Sequence, residues 1–203
     1  MPVNYTIQAD VIDITRDTPK ADDVFLVDTN VWYWMTYPNA TSFVPSQLSD
    51  YPAYLNNALA QSSKIHHSGL SLAELSHIIE KTEREIYVRA SGAIRPKEYR
   101  HNLAGERNRV VSEIQAAWGQ VTNLAEPLTV TIDDPTTKAS LTRLQNELVD
   151  GYDLFILESM KNQGVVQIIT DDGDFATIAG LQVFTANQNV ITAASNQGKL
   201  LTR

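Results

Sequence analysis

Two short apolar runs each end at an aspartate, and this pattern constrains the fold more than any other feature. "VFLV" at residues 24–27 precedes Asp28, and "VVQIIT" at residues 165–170 precedes Asp171 and Asp172. Uninterrupted apolar runs of this length are typical of strands buried on both faces, as in parallel sheets. Segments with helical spacing separate these runs along most of the chain. The sequence therefore predicts an α/β fold, a three-layer α/β/α sandwich around a mainly parallel sheet.

The length of 203 residues favours one domain, and further elements can be placed along it. Strands are predicted at residues 64–70 and 128–132 and a last strand at 181–186, whereas the proline-containing stretch 36–52 is predicted to be a loop. We expect an N-terminal extension at residues 1–22, either an edge strand or a disordered tail, and a core domain at 23–188. A helical insertion around residues 82–127 and a peripheral C-terminal tail at 189–203 complete the prediction.

Composition limits the chemistry that the chain can perform. Without cysteine there is no disulfide, thiolate ligand or cysteine nucleophile, so any metal is expected to be a hard cation bound by oxygen, Mg²⁺ or Mn²⁺. The N-terminus lacks the features of a signal peptide and no run of apolar residues is long enough to span a membrane, which predicts a cytoplasmic protein.

The net charge of −8 is unevenly distributed. Residues 81–109 contain eight Lys or Arg and four Glu, a net charge of +4, and the remainder carries −12. A solvated helix with mixed charges is the simpler interpretation. A contact with a polyanion is the alternative, and Arg84 and Arg89 are its first candidates.

Four acidic residues from separate segments are expected to meet at one edge of the sheet. Asp28 and Asp172 follow strands, while Glu74 and Asp153 open helices, and in βα units helix N-termini lie beside the carboxyl ends of strands. Each acid alone fits a helix cap or turn, such as a Ser71–Glu74 capping box. Four acidic caps on the same edge are a less economical explanation than a shared cation site.

These segments resemble the PIN-domain nucleases, a family that includes the toxin ribonucleases of toxin–antitoxin pairs. The similarity rests on "LVDTNVW", "SGLSLAEL", "GYDLFILESM" and "IITDDGDF", in that order. It implies a PIN-like fold and hydrolysis of RNA phosphodiester bonds with Mg²⁺ or Mn²⁺. The implied catalytic residues, which are also metal ligands, are Asp28, Glu74, Asp153 and Asp172. Asp174 is expected as a further, outer metal ligand, and Thr29, Asn30 and Thr170 as residues that orient the acids or the substrate.

The resemblance leaves several alternatives open. A catalytically inactive PIN-like module that binds RNA or protein is the main one, and a housekeeping nuclease competes with a toxin that binds an antitoxin. Dimerisation is a weaker expectation. A phosphatase of the haloacid dehalogenase type needs a second acid two residues after the first, and Asn30 occupies that position. Neither the P-loop nor the dinucleotide-binding glycine pattern occurs.

Overall fold

The computed structural model describes residues 3–203, which form a seven-stranded parallel sheet and eight α-helices. The strands are β1 (Asp10–Asp13), β2 (Val24–Val27), β3 (Lys64–Ser68), β4 (Glu126–Leu128), β5 (Gln167–Ile169), β6 (Gln182–Thr185) and β7 (Leu200–Leu201). The helices are α1 (Thr29–Thr36), α2 (Gln47–Ala60), α3 (Ser71–Ser91), α4 (Pro96–Asn102), α5 (Ala104–Leu124), α6 (Asp134–Asn146), α7 (Asp153–Gln163) and α8 (Gln188–Asn196). A short 3-10 helix covers Asp174–Thr177.

The sheet has the order β4-β3-β2-β5-β6-β1-β7, and every neighbouring pair is parallel. Side chains of β2 alternate between two hydrophobic cores. Phe25 and Val27 face a core shared with α1, α2, α3 and α5, whereas Leu26 faces a core shared with α7. Helices thus cover both faces of the sheet, and the predicted α/β/α sandwich is confirmed.

Helices α4 and α5 are held against α3 by ion pairs between partly exposed arginines and two buried glutamates of α3. The Glu80 carboxylate accepts hydrogen bonds from the guanidinium groups of Arg100 and Arg107. Arg109 pairs with Glu83, with 2.8 Å between nitrogen and oxygen. Because Glu80 and Glu83 are both more than nine-tenths buried, they require these partners. Three of the eight cations in the basic segment therefore hold α4 and α5 against α3.

Several elements differ from the sequence-based prediction. The predicted strand 128–132 shares only Leu128 with β4 (Glu126–Leu128), because the chain leaves the sheet there and enters α6, which Asp133 caps and which has Pro135 in its first turn. The predicted loop 36–52 ends early, since α2 begins at Gln47 and contains Pro52. Strand β6 is not the last, because β7 follows it in sequence.

The two ends of the chain are parts of the same sheet. β1 lies between β6 and β7, so the predicted N-terminal extension contributes an interior strand rather than an edge. The expected peripheral tail contains all of α8 except its first residue, Gln188, and all of β7. Residues 1–2 of the extension lie outside the described residues. No helix within residues 3–203 is long and apolar enough to cross a membrane.

Candidate active site

The carboxyl end of β2 places Asp28 at the start of α1. Its carboxylate caps the helix by accepting a hydrogen bond from the Thr29 backbone N–H, at 2.6 Å. The other carboxylate oxygen accepts a hydrogen bond from the Thr170 hydroxyl, at 2.7 Å. Asp28 is therefore both a helix cap and a buried acid held in one orientation from two sides.

Glu74 lies in the first turn of α3 and faces Asp28 across the edge of the sheet. The Thr29 hydroxyl donates a hydrogen bond to Glu74 over 2.5 Å. The Ser71–Glu74 capping box, the alternative interpretation of Glu74, is absent, because the N-cap of α3 is Leu70 and no side-chain hydrogen bond caps the helix. The side chain of Glu74 is thus directed toward α1 rather than back to its own backbone.

Asp153 and Asp172 complete the group of acids. Asp153 is the first residue of α7, whose start has no side-chain cap. Asp172 follows β5, and its backbone N–H donates a hydrogen bond to the Thr170 hydroxyl at 2.9 Å. One Asp172 carboxylate oxygen accepts from the Asp174 backbone N–H, also at 2.9 Å. Thr170 thereby links the loop that carries Asp172 to the carboxylate of Asp28.

All four predicted acids line one cavity of about 440 Å³. We call this cavity the acidic pocket, and its lining residues are Asp28, Thr29, Asn30, Ala73, Glu74, His77, Ile78, Tyr152, Asp153 and Asp172. This lining, which belongs entirely to the described part of the chain, contains four carboxylates but neither lysine nor arginine. Carboxylates collected without a cationic side chain repel one another.

The electrostatics of the pocket reflect this repulsion. Burial raises the pKa of Asp28 to about 7, and the negative charges of Asp172 and Glu74 add to that shift against the opposing effect of the Thr170 hydrogen bond. Burial, followed by repulsion from Asp28, raises the pKa of Asp153 to about 8. Burial also raises the pKa of Glu74. Asp28 and Asp153 therefore retain protons near neutral pH unless a positive charge enters the pocket.

The ligand chemistry of the pocket fits a hard cation, although the side chains do not form a closed binding site. Carboxylate, hydroxyl and amide oxygens are the donors that Mg²⁺ and Mn²⁺ prefer. Within residues 3–203, however, no three Asp, Glu or His side chains converge closely enough to hold an ion. A cation would be held by Asp28, Glu74, Asp153 and Asp172 only after these carboxylates move toward one another.

Other predicted site residues lie at different distances from the pocket. Thr29 and Asn30 line it, while Thr170 is buried behind Asp28. Asp174, Arg84 and Arg89 are not among its lining residues. Their predicted roles in metal and substrate binding remain predictions.

Asp171 is more constrained than the sequence suggests. Its carboxylate accepts hydrogen bonds from Tyr51 at 2.7 Å and from Gln47 at 2.5 Å. Tyr51 is fully buried and also accepts a hydrogen bond from the Ala186 backbone N–H. No local pattern could predict this contact, because Asp171 and Asp172 are adjacent in sequence and only the fold separates their environments.

His77 and Tyr152 are the other functional groups of the pocket that sequence analysis missed. His77 lies one turn after Glu74 on α3, so the three-residue spacing was a signal that could have revealed it. Tyr152 directly precedes Asp153 and is 43% exposed. Both side chains are available at the rim of the cavity.

The same segments match a known family model. The PIN domain model covers residues 25–181, which include most of β2, all four acids and helices α1 to α7. The chain belongs to the PIN-domain family. PIN domains are generally nucleases, which agrees with a pocket of acids at the carboxyl edge of a parallel sheet. The match leaves β1, β6, α8 and β7 outside the PIN region, and no curated protein matches the sequence.

Proposed function

We propose that this PIN domain is an endoribonuclease that hydrolyses RNA phosphodiester bonds with Mg²⁺ or Mn²⁺. The observation that carries the proposal is the acidic pocket, in which four carboxylates face one cavity without a lysine or arginine in its lining. Family membership supports nuclease activity in general. The metal and the RNA substrate follow from the oxygen donors of the pocket and from the resemblance of its motifs to ribonucleases.

Each acid has a distinct part in the proposed mechanism. Asp28, held by Thr29 and Thr170, would bind the cation directly, and Asp153 and Asp172 would complete its ligands. We assign Glu74 to orient the attacking water. Its carboxylate accepts a hydrogen bond from the hydroxyl of Thr29, the residue after Asp28, and is therefore held beside the proposed metal ligand. When bound, Mg²⁺ or Mn²⁺ would supply positive charge that neutralises phosphate oxygens and activates water.

Neighbouring polar groups are suited to hold the substrate. Asn30 presents a side-chain amide in the lining of the pocket, and its N–H groups are able to donate to a phosphate oxygen. His77 is on the same wall, one helical turn from Glu74. Arg84 lies further along α3 and is assigned to the RNA backbone.

The deciding experiment compares the wild-type protein with Asp28→Asn on a single-stranded RNA of mixed sequence. Wild type is expected to cleave in Mn²⁺ or Mg²⁺ and to stop when EDTA is added. Asp28→Asn is expected to remain folded by circular dichroism and to lose at least about a hundredfold in rate. Asp10→Asn, which alters an acid on β1, is the matched control and should cleave at the wild-type rate.

A PIN-like module without turnover is the rival function, and the same experiment separates the two. Absence of cleavage by wild type with either cation and several RNA sequences would favour the binding module. Cleavage by Asp28→Asn at the wild-type rate would instead reject the assignment of the site.

A toxin is the narrower form of the proposal. It requires an antitoxin protein encoded beside this gene that binds the PIN domain and blocks cleavage. Expression of the wild-type chain alone should then arrest growth, and coexpression with the neighbouring protein should restore it. Growth unaffected by an active nuclease would favour a housekeeping role.

A further inference from the structure

A second, larger cavity continues the acidic pocket along the surface. Its volume is about 840 Å³, and Asn30 and Ile78 line both cavities. We call this second cavity the side groove. Its walls come from α1, the segment 41–50, α3 and residues 186–189. A polymer whose reacting bond lies in the acidic pocket can therefore extend directly into the side groove.

Aromatic rings and amides provide the binding groups of the side groove. Trp34 and Phe43 line it with partly and completely exposed side chains, whereas the third aromatic residue, Tyr33, is buried. Gln188 and Asn189 add exposed amides on the opposite wall. Flat aromatic faces stack on unpaired bases, and amides form hydrogen bonds with base edges. This combination is suited to nucleobases.

A row of basic residues on α3 leads away from the acidic pocket beside the groove. Glu74 is followed at helical intervals by His77, Lys81 and Arg84. At 1.5 Å per residue, Lys81 lies about 10 Å and Arg84 about 15 Å along the helix from Glu74. Neither Lys81 nor Arg84 forms an ion pair within the described residues, in contrast to Arg100. Their charges are available to phosphates.

The charges in the lining of the side groove predict different positions for the phosphates and the bases of a bound nucleic acid. Three carboxylates line the side groove, those of Asp50, Glu85 and Asp171. Among its described lining residues, Lys81 is the one lysine or arginine. The three carboxylates repel phosphates, whereas Lys81 and Arg84 on the α3 side of the groove attract them. The bases then face the aromatic rings and amides of the groove.

From this arrangement we propose that the side groove binds unpaired bases of single-stranded RNA next to the scissile phosphate, with Lys81 and Arg84 on the RNA backbone. The inference rests on the proposed nuclease function and adds to it the surface of this chain that receives the bases. A duplex keeps its bases stacked on one another and cannot offer them to Phe43 and Trp34.

The test measures RNA binding in the Asp28→Asn background, in which cleavage is not expected. Fluorescence anisotropy compares a labelled ten-nucleotide single-stranded RNA with the corresponding ten-base-pair duplex. Phe43→Ala is expected to weaken single-strand binding at least about fivefold, because stacking contributes to each bound base. Lys81→Ala is expected to reduce the slope of log affinity against log salt by about 0.7.

Matched controls exclude general surface effects. Leu148→Ala removes an apolar side chain that is 73% exposed on a different surface, and Lys161→Ala removes an exposed lysine near the end of α7. Both should leave affinity and salt slope unchanged. Equal effects of Phe43→Ala and Leu148→Ala, or equal binding of duplex and single strand, would overturn the proposal.

A direct measurement locates the RNA. A thiouridine-containing oligonucleotide should photo-crosslink to residues 41–50 or 186–189, and crosslinks confined to α4 and α5 would contradict the proposal.

Activity measurements distinguish the nuclease function from the assignment of the side groove. With an Asp28-containing protein, Phe43→Ala should raise KM and leave kcat unchanged. A wild type that binds single strands without cleaving them would reject the nuclease function but leave the groove assignment intact.

Discussion

The Thr170 hydroxyl donates a hydrogen bond to the Asp28 carboxylate, with 2.7 Å between the two oxygens. The residues are 142 positions apart in sequence, but they follow the neighbouring strands β5 and β2. Thr170 is fully buried. Its hydrogen bond favours the ionised form of Asp28 and opposes the burial that raises the pKa of this acid to about 7.

Replacement of Thr170 by valine removes the hydroxyl but keeps nearly the same side-chain shape, and it should therefore weaken metal binding. Without the hydroxyl the pKa of Asp28 rises further, so protons compete more strongly with the cation at pH 7. We expect about a tenfold loss of Mn²⁺ affinity, measured by calorimetry, and a shift of the affinity profile to higher pH. Thr170→Ser retains the donor and should bind Mn²⁺ within about twofold of wild type. Equal affinities of the valine and serine variants would contradict the role of the hydroxyl.

The raised pKa of Asp153 predicts an unusual effect of pH on stability. Because the pKa is about 8 in the folded protein and 3.8 in the unfolded chain, the folded state binds more protons between these values. The contribution of this group to stability is then present at low pH and is lost as the pH rises toward 8. Metal-free Asp153→Asn should thus be more stable than wild type at pH 8, by about 1–2 kcal/mol.

Urea unfolding at pH 5 and pH 8, with and without Mn²⁺, checks this prediction. The advantage of Asp153→Asn should shrink at pH 5, where the wild-type acid is protonated in the fold. Saturating Mn²⁺ should stabilise wild type by about 2.7 kcal/mol at a hundred times its dissociation constant, and the variant by less. A variant that is destabilised at both pH values without metal would show that Asp153 has a favourable partner.

The sequence was sufficient to predict the parts of the site that lie close to strong local signals. Asp28 and Asp172 follow continuous apolar runs, and such runs are buried strands whose carboxyl ends share one edge. Gly164 also ends α7 with a positive φ of 68°, as expected for a helix C-terminus. In these places local pattern and tertiary structure favour the same conformation.

Tertiary contacts determined the parts that sequence could not predict. The two-residue β7 is too short for a periodic signal, and β1 lies between β6 and β7 through long-range pairing alone. Glu74 fits a capping box locally, but the hydroxyl of Thr29, 45 residues away, binds its carboxylate instead. The basic segment appeared free in sequence, whereas Arg100, Arg107 and Arg109 are paired with α3.

Gly173 has a packing role that predicts sensitivity to a single methyl group. A Cβ atom at this position would overlap the ring of Tyr5, which comes from the N-terminal segment outside the PIN match. Gly173→Ala must displace either Tyr5 or the turn that carries Asp172 and Asp174. We expect a loss of about 1–3 kcal/mol in the free energy of unfolding, measured in urea.

A second substitution tests the cause of that loss. Tyr5→Ala removes the ring, so Gly173→Ala should cost less in the Tyr5→Ala background than in wild type. The coupling should also appear in Mn²⁺ affinity if the ring holds the Asp172 turn in place. Additive effects of the two substitutions would show that the ring and the turn are independent.

Arg203 is predicted to stabilise the fold from outside the PIN match. Its guanidinium, with the side chain 14% exposed, binds Asp17 at 2.8 Å and Asp23 at 2.6 Å and lies 4.5 Å from the centre of the Phe184 ring. Arg203→Ala leaves two buried carboxylates without this cation and should cost about 3 kcal/mol of unfolding free energy. Arg16→Ala is the control, because the 3.6 Å pair of Arg16 with Asp13 is solvent-exposed on the arginine side and should contribute less than about 1 kcal/mol.

The pH dependence of the Arg203 contribution follows from Asp23. Burial alone would raise the pKa of Asp23, but hydrogen bonds from Arg203, Lys20 and Gln167 outweigh burial and hold the pKa below its usual value. The stabilisation is therefore complete above the unfolded value of 3.8 and is lost as the pH falls toward the lowered folded value. Urea unfolding should show a constant difference between wild type and Arg203→Ala from pH 7 to pH 5 and a smaller difference below pH 4. A difference that stayed constant below pH 4 would mean that packing on Phe184, rather than pairing with Asp23, carries the effect.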